Sequence, residues 1–337
     1  MTDLVVQQTL FQVPIVLLGS LVTCLVALAY LRRVRLERPA VGVFNGRDVV
    51  VLYTFIIVLP ALYVILPPWA LIGFLILTFC AALSIGLRPI LPRKYMWPAI
   101  GLAIGLNIWM ARTLLGTVLG WQLMLVETSI LVTLAAVAVS NLYVQGGMRL
   151  QHVAWFALVL GAYDVTFSLI IPFIAELADA FIGHPLNPAI GMRWGLYYVD
   201  IGLGDMLVYS LFVIAALKAY GPKAARLALA VVAVFGAVAP SVAPLLLDAV
   251  TRGNGNAVVP AQVFFGPPAL LTYFWLRKRY GRERTFAEFA ADPYAAVPPR
   301  LRDSVPADHP VSPAPAGANM PVHAGGEQPT PAVRQPV

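Results

Sequence analysis

Residues 10–31 read LFQVPIVLLGSLVTCLVALAYL and are followed at once by Arg32, Arg33 and Arg35. A run of that length without a charge, at about 1.5 Å rise per residue, crosses the ~30 Å hydrocarbon core of a bilayer. It is too long for the apolar part of a typical secretion signal and has basic residues behind it, so a retained first span is expected. The rest of the chain is built alike. Hydrophobic residues make up 60% of the 337 and charged residues 12%, with a mean hydropathy of +0.80. Soluble proteins average roughly 45–50% apolar and about 25% charged. The length would allow two soluble domains, but the composition describes a polytopic membrane protein. Cys24 and Cys80 both lie in apolar runs, which excludes a disulfide framework and a cysteine-ligated zinc site.

The rule of about 20 apolar residues per helix gives nine spans. They are 10–31, 49–66, 69–87, 98–119, 121–143, 152–178, 196–217, 227–247 and 259–276. The expected fold class is all-α, a nine-helix membrane domain over 1–280. Residues 281–337 are expected to be a disordered tail, since 292–337 hold eleven prolines and no apolar periodicity. With nine spans, seventeen Lys and Arg residues fall on the side of the C-terminus, from Arg32 to Arg284, against Arg193 and Arg252 opposite. The positive-inside rule then puts the N-terminus outside and the C-terminus in the cytoplasm. The net charge of +7 reflects these span ends and not nucleic-acid binding. Ala, Val, Arg and Pro usage hints at a prokaryotic plasma membrane.

Ionisable groups at bilayer depth are costly and are functional candidates by default. Four stand out: Arg112, Glu127, Asp164 and Asp205. Arg112 and Glu127 fall at one depth on neighbouring spans, and read either as an ion pair or as a snorkelling arginine. Asp164 and Asp205 each lie roughly 18 Å from the inner ends of consecutive, antiparallel spans. They form a functional pair, or each serves a separate packing contact. Gly202 and Gly204 beside Asp205 would let a facing backbone approach closely. Tyr209, four residues on, could hydrogen-bond Asp205; Asp200 reads as a solvated rim acid. Gly101/Gly105 and Gly116/Gly120 have the spacing of close helix packing.

The local words are Gly161-Ala162-Tyr163-Asp164, Gly202-Leu203-Gly204-Asp205 and Pro268-Ala269-Leu270-Leu271, on the sixth, seventh and ninth spans. Tyr-Asp, Gly-x-Gly-Asp and Pro-Ala-Leu in that order resemble the presenilin and signal peptide peptidase family of intramembrane aspartyl proteases. The resemblance covers 152–276 by motif. It departs from the family at Pro267, where a glutamine is common, and at Thr272, which separates the leucine from Tyr273. It implies that Asp164 and Asp205 are the catalytic aspartates and share a proton. It implies that Tyr163, Gly202, Leu203, Gly204, Pro268, Ala269 and Leu270 shape the site. No cofactor or metal is implied; the substrates would be transmembrane helices or remnant signal peptides within the lipid bilayer. Pro267 and Pro268 would break their helix, either as a plain kink or to offer an unpaired backbone edge to substrate. The connection 179–195 is far shorter than presenilin's autoprocessed loop. A proton- or cation-coupled transporter is the rival class, because paired acids and broken helices also build ion sites. A serine-protease motif and His-Glu-x-x-His are both missing.

Overall fold

The computed structural model describes residues 2–36, 50, 51, 54, 58, 66–166, 183–194, 197–251 and 260–293. Five helices come first: α1 (Thr2–Arg33), α2 (Pro68–Leu87), α3 (Arg93–Thr113), α4 (Val118–Gln145) and α5 (Leu150–Val165). A hairpin follows, β1 (Ala189–Trp194) with β2 (Tyr197–Gly202), and runs directly into α6 (Leu203–Tyr220). Then come α7 (Pro222–Val231), a π-helical segment (Val232–Val238), α8 (Ala239–Thr251), α9 (Ala261–Tyr280) and the short α10 (Phe286–Ala291).

Helix α6 is the hub. Every residue from Val208 to Tyr220 is buried, and α4, α1, α5 and α7 pack around it. Between Asp205 in its first turn and Lys218 in its last, its sequence is apolar on nearly all sides, and a helix of that kind is stable only inside a bundle. The outer helices have the opposite surface. Leu18, Leu77, Leu102, Leu119 and Leu271 are each at least 65% exposed. Such a wide apolar exterior is unsuited to water and suited to lipid. Among the described residues, five segments are long and apolar enough to cross a membrane: Thr9–Arg33, Trp69–Leu87, Val118–Gln145, Leu203–Tyr220 and Pro222–Leu245. The chain is therefore a helical membrane protein. The expected span 49–66 lies almost wholly outside the described residues, as does the later half of 152–178.

Several expectations need correction. The expected span 196–217 does not begin as a helix. Tyr197–Gly202 is a strand, paired antiparallel with Ala189–Trp194 in the register Ile190↔Ile201, Gly191↔Asp200 and Met192↔Val199. The fold is mainly helical, as expected, with this one hairpin among the described residues. Tyr197-Tyr198-Val199-Asp200-Ile201 is aromatic and β-branched, with Val199 and Ile201 alternating onto the buried face. Ile190 and Ile201 sit over Gly19 of α1. Nor does the tail start at residue 281. Residues 282–293 are described, and α10 is closed by a capping box between Thr285 and Glu288. Phe289 is fully buried, with Arg35 and Arg284 over its ring. Residues 294–337 lie outside the described part.

Helix α9 continues unbroken through Pro267 and Pro268. The propensity cost is met by close packing on α5, the neighbour with which α9 shares its largest contact. A Cβ at Gly266 would lie 2.8 Å from the Ala157 carbonyl oxygen, and one at Gly161 would lie 2.8 Å from that of Gln262. These two glycines set the helix separation. The spaced pair Gly101/Gly105 faces open space, so periodicity alone misplaced the contact.

Candidate active site

Asp164 sits in the last turn of α5 and Asp205 in the first turn of α6. The two helices are antiparallel and joined at their other ends. There Lys218 Nζ donates to the Met148 carbonyl, just before α5 begins. Counting at about 1.5 Å per residue, Asp205 stands roughly 20 Å above Lys218 and Asp164 roughly 24 Å above Met148, within one helical turn of each other. The matched depth expected from the sequence is therefore present, and the two carboxyls are close enough to interact electrostatically.

Their surroundings differ. Asp205 Oδ1 accepts a hydrogen bond from Gln262 Nε2 at 2.8 Å. Gln262 is buried in the first turn of α9, and its backbone lies against Gly161, three residues before Asp164. One side chain thus links all three helices at the level of the acids. Asp164 makes no hydrogen bond among the described residues, which leaves its oxygens open to a water or a substrate. Gly204 has nothing within 4 Å of where a Cβ would be, and Gly202 has only the Asp205 carboxylate and the Gly204 amide nitrogen at about that distance. Among the described residues, the glycines therefore keep the approach to Asp205 clear, and no facing backbone comes close. Leu203 is half-buried, and its amide donates to the Pro188 carbonyl at 2.7 Å, tying the start of α6 to the entry of the hairpin.

The remaining candidates divide. Tyr163 is half-buried beside Asp164. Pro268, Ala269 and Leu270 lie six to eight residues below Gln262 along α9, about 9–12 Å from its level by helical rise. Ala269 is fully buried. The Pro-Ala pair at the level of the acids is Pro260-Ala261, which starts α9. Gln262 and Pro260 lie outside the Pro268-Ala269-Leu270 motif, so the resemblance does not point to them. The available signal was an amide in the first turn of an otherwise apolar helix.

Tyr209 does not bond Asp205. Its hydroxyl donates to the Gly236 carbonyl at 2.8 Å, and its ring lies where a Cβ at Gly236 would clash at 2.9 Å. Gly236 lies within the π-helical segment Val232–Val238, a distortion that often accompanies functional sites. Asp200 is exposed, as expected of a rim acid, but it lies on β2.

Arg112 and Glu127 form no pair. Arg112 is exposed, and Glu127 Oε2 accepts from Asn107 Nδ2 instead. Asn107 also donates to Thr128 Oγ1 at 2.8 Å and accepts the Leu186 amide at 2.7 Å. Leu186 is buried with φ 58°, a left-handed backbone that costs about 1–2 kcal/mol for an L-residue. The Asn107 network therefore fixes the chain just before β1. Ser129 of α4 bonds Gly191 from the side, its hydroxyl accepting the amide at 3.3 Å. This occupies the outer edge of β1 and makes β2 the strand that leads away from α4 into Asp205.

Among the described residues, no three His, Cys, Asp or Glu side chains are grouped to hold a metal ion. In comparisons with known proteins, no family model matches the chain and no curated protein matches it significantly.

Proposed function

We propose that the protein is an intramembrane aspartyl endopeptidase with Asp164 and Asp205 as its catalytic pair. The observation that carries this reading is the placement of the two carboxyls. They stand at one depth on adjacent helices, within electrostatic reach, with one anchored by Gln262 and the other open. Two neighbouring carboxyls at low dielectric hold one proton between them. The ionised member takes a proton from a water, which attacks the scissile carbonyl. The protonated member polarises that carbonyl and then passes its proton to the leaving amine. No covalent intermediate arises. The resemblance of Tyr163-Asp164 and Gly202-Leu203-Gly204-Asp205 to the presenilin and signal peptide peptidase family supports the same chemistry.

A transmembrane helix hides its carbonyls in its own hydrogen bonds, so the substrate must be extended near the cut. Strand β2 runs straight into the Asp205 turn, and its edge away from β1 suits an added strand. This takes over the role first expected of Pro267 and Pro268. Nine spans with the N-terminus outside remain the preferred topology, which gives a preference for helices entering with a cytoplasmic N-terminus, remnant signal peptides among them.

The test is cleavage of a fluorogenic transmembrane peptide by the purified chain in lipid. Cleavage that disappears in both Asp164→Asn and Asp205→Asn, and follows a bell-shaped pH profile, is the expected result. Proton or cation flux without cleavage, lost in the same variants, would assign the acids to a transporter instead.

A further inference from the structure

We propose that the cavity at the base of α5, α6 and α9, at the opposite end from the aspartates, binds a phosphate-bearing anion. The cavity measures about 620 Å³ and is lined by five cationic side chains, Arg149, Lys218, Arg277, Arg282 and Arg284, against one carboxylate, Glu283. That carboxylate is committed: its two oxygens accept the Leu150 and Gln151 amides at 2.8 and 3.0 Å. Arg284 is committed too, to the Lys218 and Leu217 carbonyls, and Arg282 pairs with Glu288 at 2.6 Å.

Three cations are left. Arg149 is exposed at the start of α5, and its side chain makes no hydrogen bond or ion pair among the described residues. Arg277 gives one N–H to the Tyr273 hydroxyl at 3.1 Å and keeps the rest. Lys218 is the telling one, because it is only 1% exposed. An ammonium has three donors. Among the described residues it meets a single acceptor, the Met148 carbonyl. A buried charge with unused donors is costly unless something in the cavity completes it.

An oxyanion with several acceptor oxygens fits that demand. Guanidinium forks from Arg149 and Arg277 suit it from two sides, and the ammonium suits it from below. The volume admits a phosphate and part of whatever carries it. The cavity opens at the level where Arg277, Lys278 and Arg279 end α9, the level at which lipid headgroups lie if α9 spans the bilayer. The phosphate therefore belongs either to an anionic phospholipid or to a soluble compound. Bound there, it would join the start of α5, the end of α6 and the end of α9. This inference does not depend on the proteolytic reading.

The experiment uses the full chain in phosphatidylcholine nanodiscs and follows thermal unfolding by tryptophan fluorescence. One arm adds phosphatidylglycerol to the discs, and the other adds inorganic pyrophosphate to the buffer. A rise in the unfolding midpoint with either probe, at least halved in the double variant Arg149→Gln/Arg277→Gln, supports the site. The arm that responds names the source. A control double variant, Arg88→Gln/Lys94→Gln, should keep the full rise. Lys218→Met should lose it; if that variant does not fold, the paired arginine variant carries the test. No rise with either probe, or an equal rise in the wild type and the Arg149/Arg277 variant, overturns the proposal. So does an equal loss in the control.

Discussion

At the base of the α5–α6–α9 group, Glu283 caps two amides of α5 while Arg284 binds the last carbonyls of α6 through its side chain and its own amide. Tyr220 adds a bond to the Gly281 carbonyl at 3.2 Å. At the aspartate end, Gln262 Nε2 of α9 donates to Asp205 Oδ1 of α6. Among the described residues, the same three helices thus share several polar ties at one end and the Gln262–Asp205 bond at the other. Two packed glycines, Gly161 and Gly266, fix the helix spacing in between. A rigid base keeps the two carboxyls in depth register without crowding them, which a site admitting a bulky peptide requires.

The largest effect should come from the open end. Asp164→Asn or Asp205→Asn removes an acid–base group, and peptide cleavage should fall by ~10²–10⁴-fold or more while the unfolding midpoint stays close to wild type. A variant that keeps activity within about tenfold would remove that residue from the mechanism.

Gln262→Leu comes next. It deletes a hydrogen bond to a carboxyl, worth about 1.5–3 kcal/mol, so kcat/KM should drop roughly 10–150-fold. The pH profile should also shift, because the deleted donor touches a member of the pair. A loss of stability with an unchanged profile would make Gln262 a packing residue only.

Glu283→Ala works at the tied end. It leaves two α5 amides without their acceptor and should cost about 1–2 kcal/mol of stability. The unfolding midpoint should fall, and the residual folded protein should cleave at near wild-type rate. An unchanged midpoint would show that the base is not what holds the group together.

The smallest effect concerns α10. The Thr285 backbone amide and Arg282 hold the Glu288 carboxyl below the usual glutamate range. A carboxyl with a depressed folded-state pKa contributes fully above its unfolded value and loses that contribution as pH falls through the folded one. The protection of amides 286–291 against hydrogen exchange, taken relative to the intrinsic rate at each pH, should therefore fall on acidification. Because the side chain is solvent-exposed the change should be slight, and Glu288→Gln should abolish its pH dependence.

Much of this molecule was legible in the chain. Long uncharged runs such as 10–31 require lipid or a buried site, whatever their neighbours, so the membrane class followed from composition. The depth match of Asp164 and Asp205 followed too, since helical rise converts sequence distance into depth on consecutive antiparallel helices. What the sequence left undecided were choices settled by neighbours. Whether Tyr197–Gly202 began a helix or formed a strand depended on Ala189–Trp194 lying beside it and on α1 and α4 covering the apolar face. Glu127 chose Asn107 over Arg112 because helix rotation brought the amide to it, and one-dimensional spacing carries no rotation. Tyr209 turned to the carbonyl of Gly236, a residue 27 positions away in the π-helical segment. Pro267 and Pro268 stayed helical because Gly161 and Gly266 let α5 and α9 meet closely enough to offset the lost backbone bonds. Local periodicity fixes which stretches are buried in lipid; only the packed bundle selects the partner of each polar group, because the competing partners differ by a few kcal/mol at most.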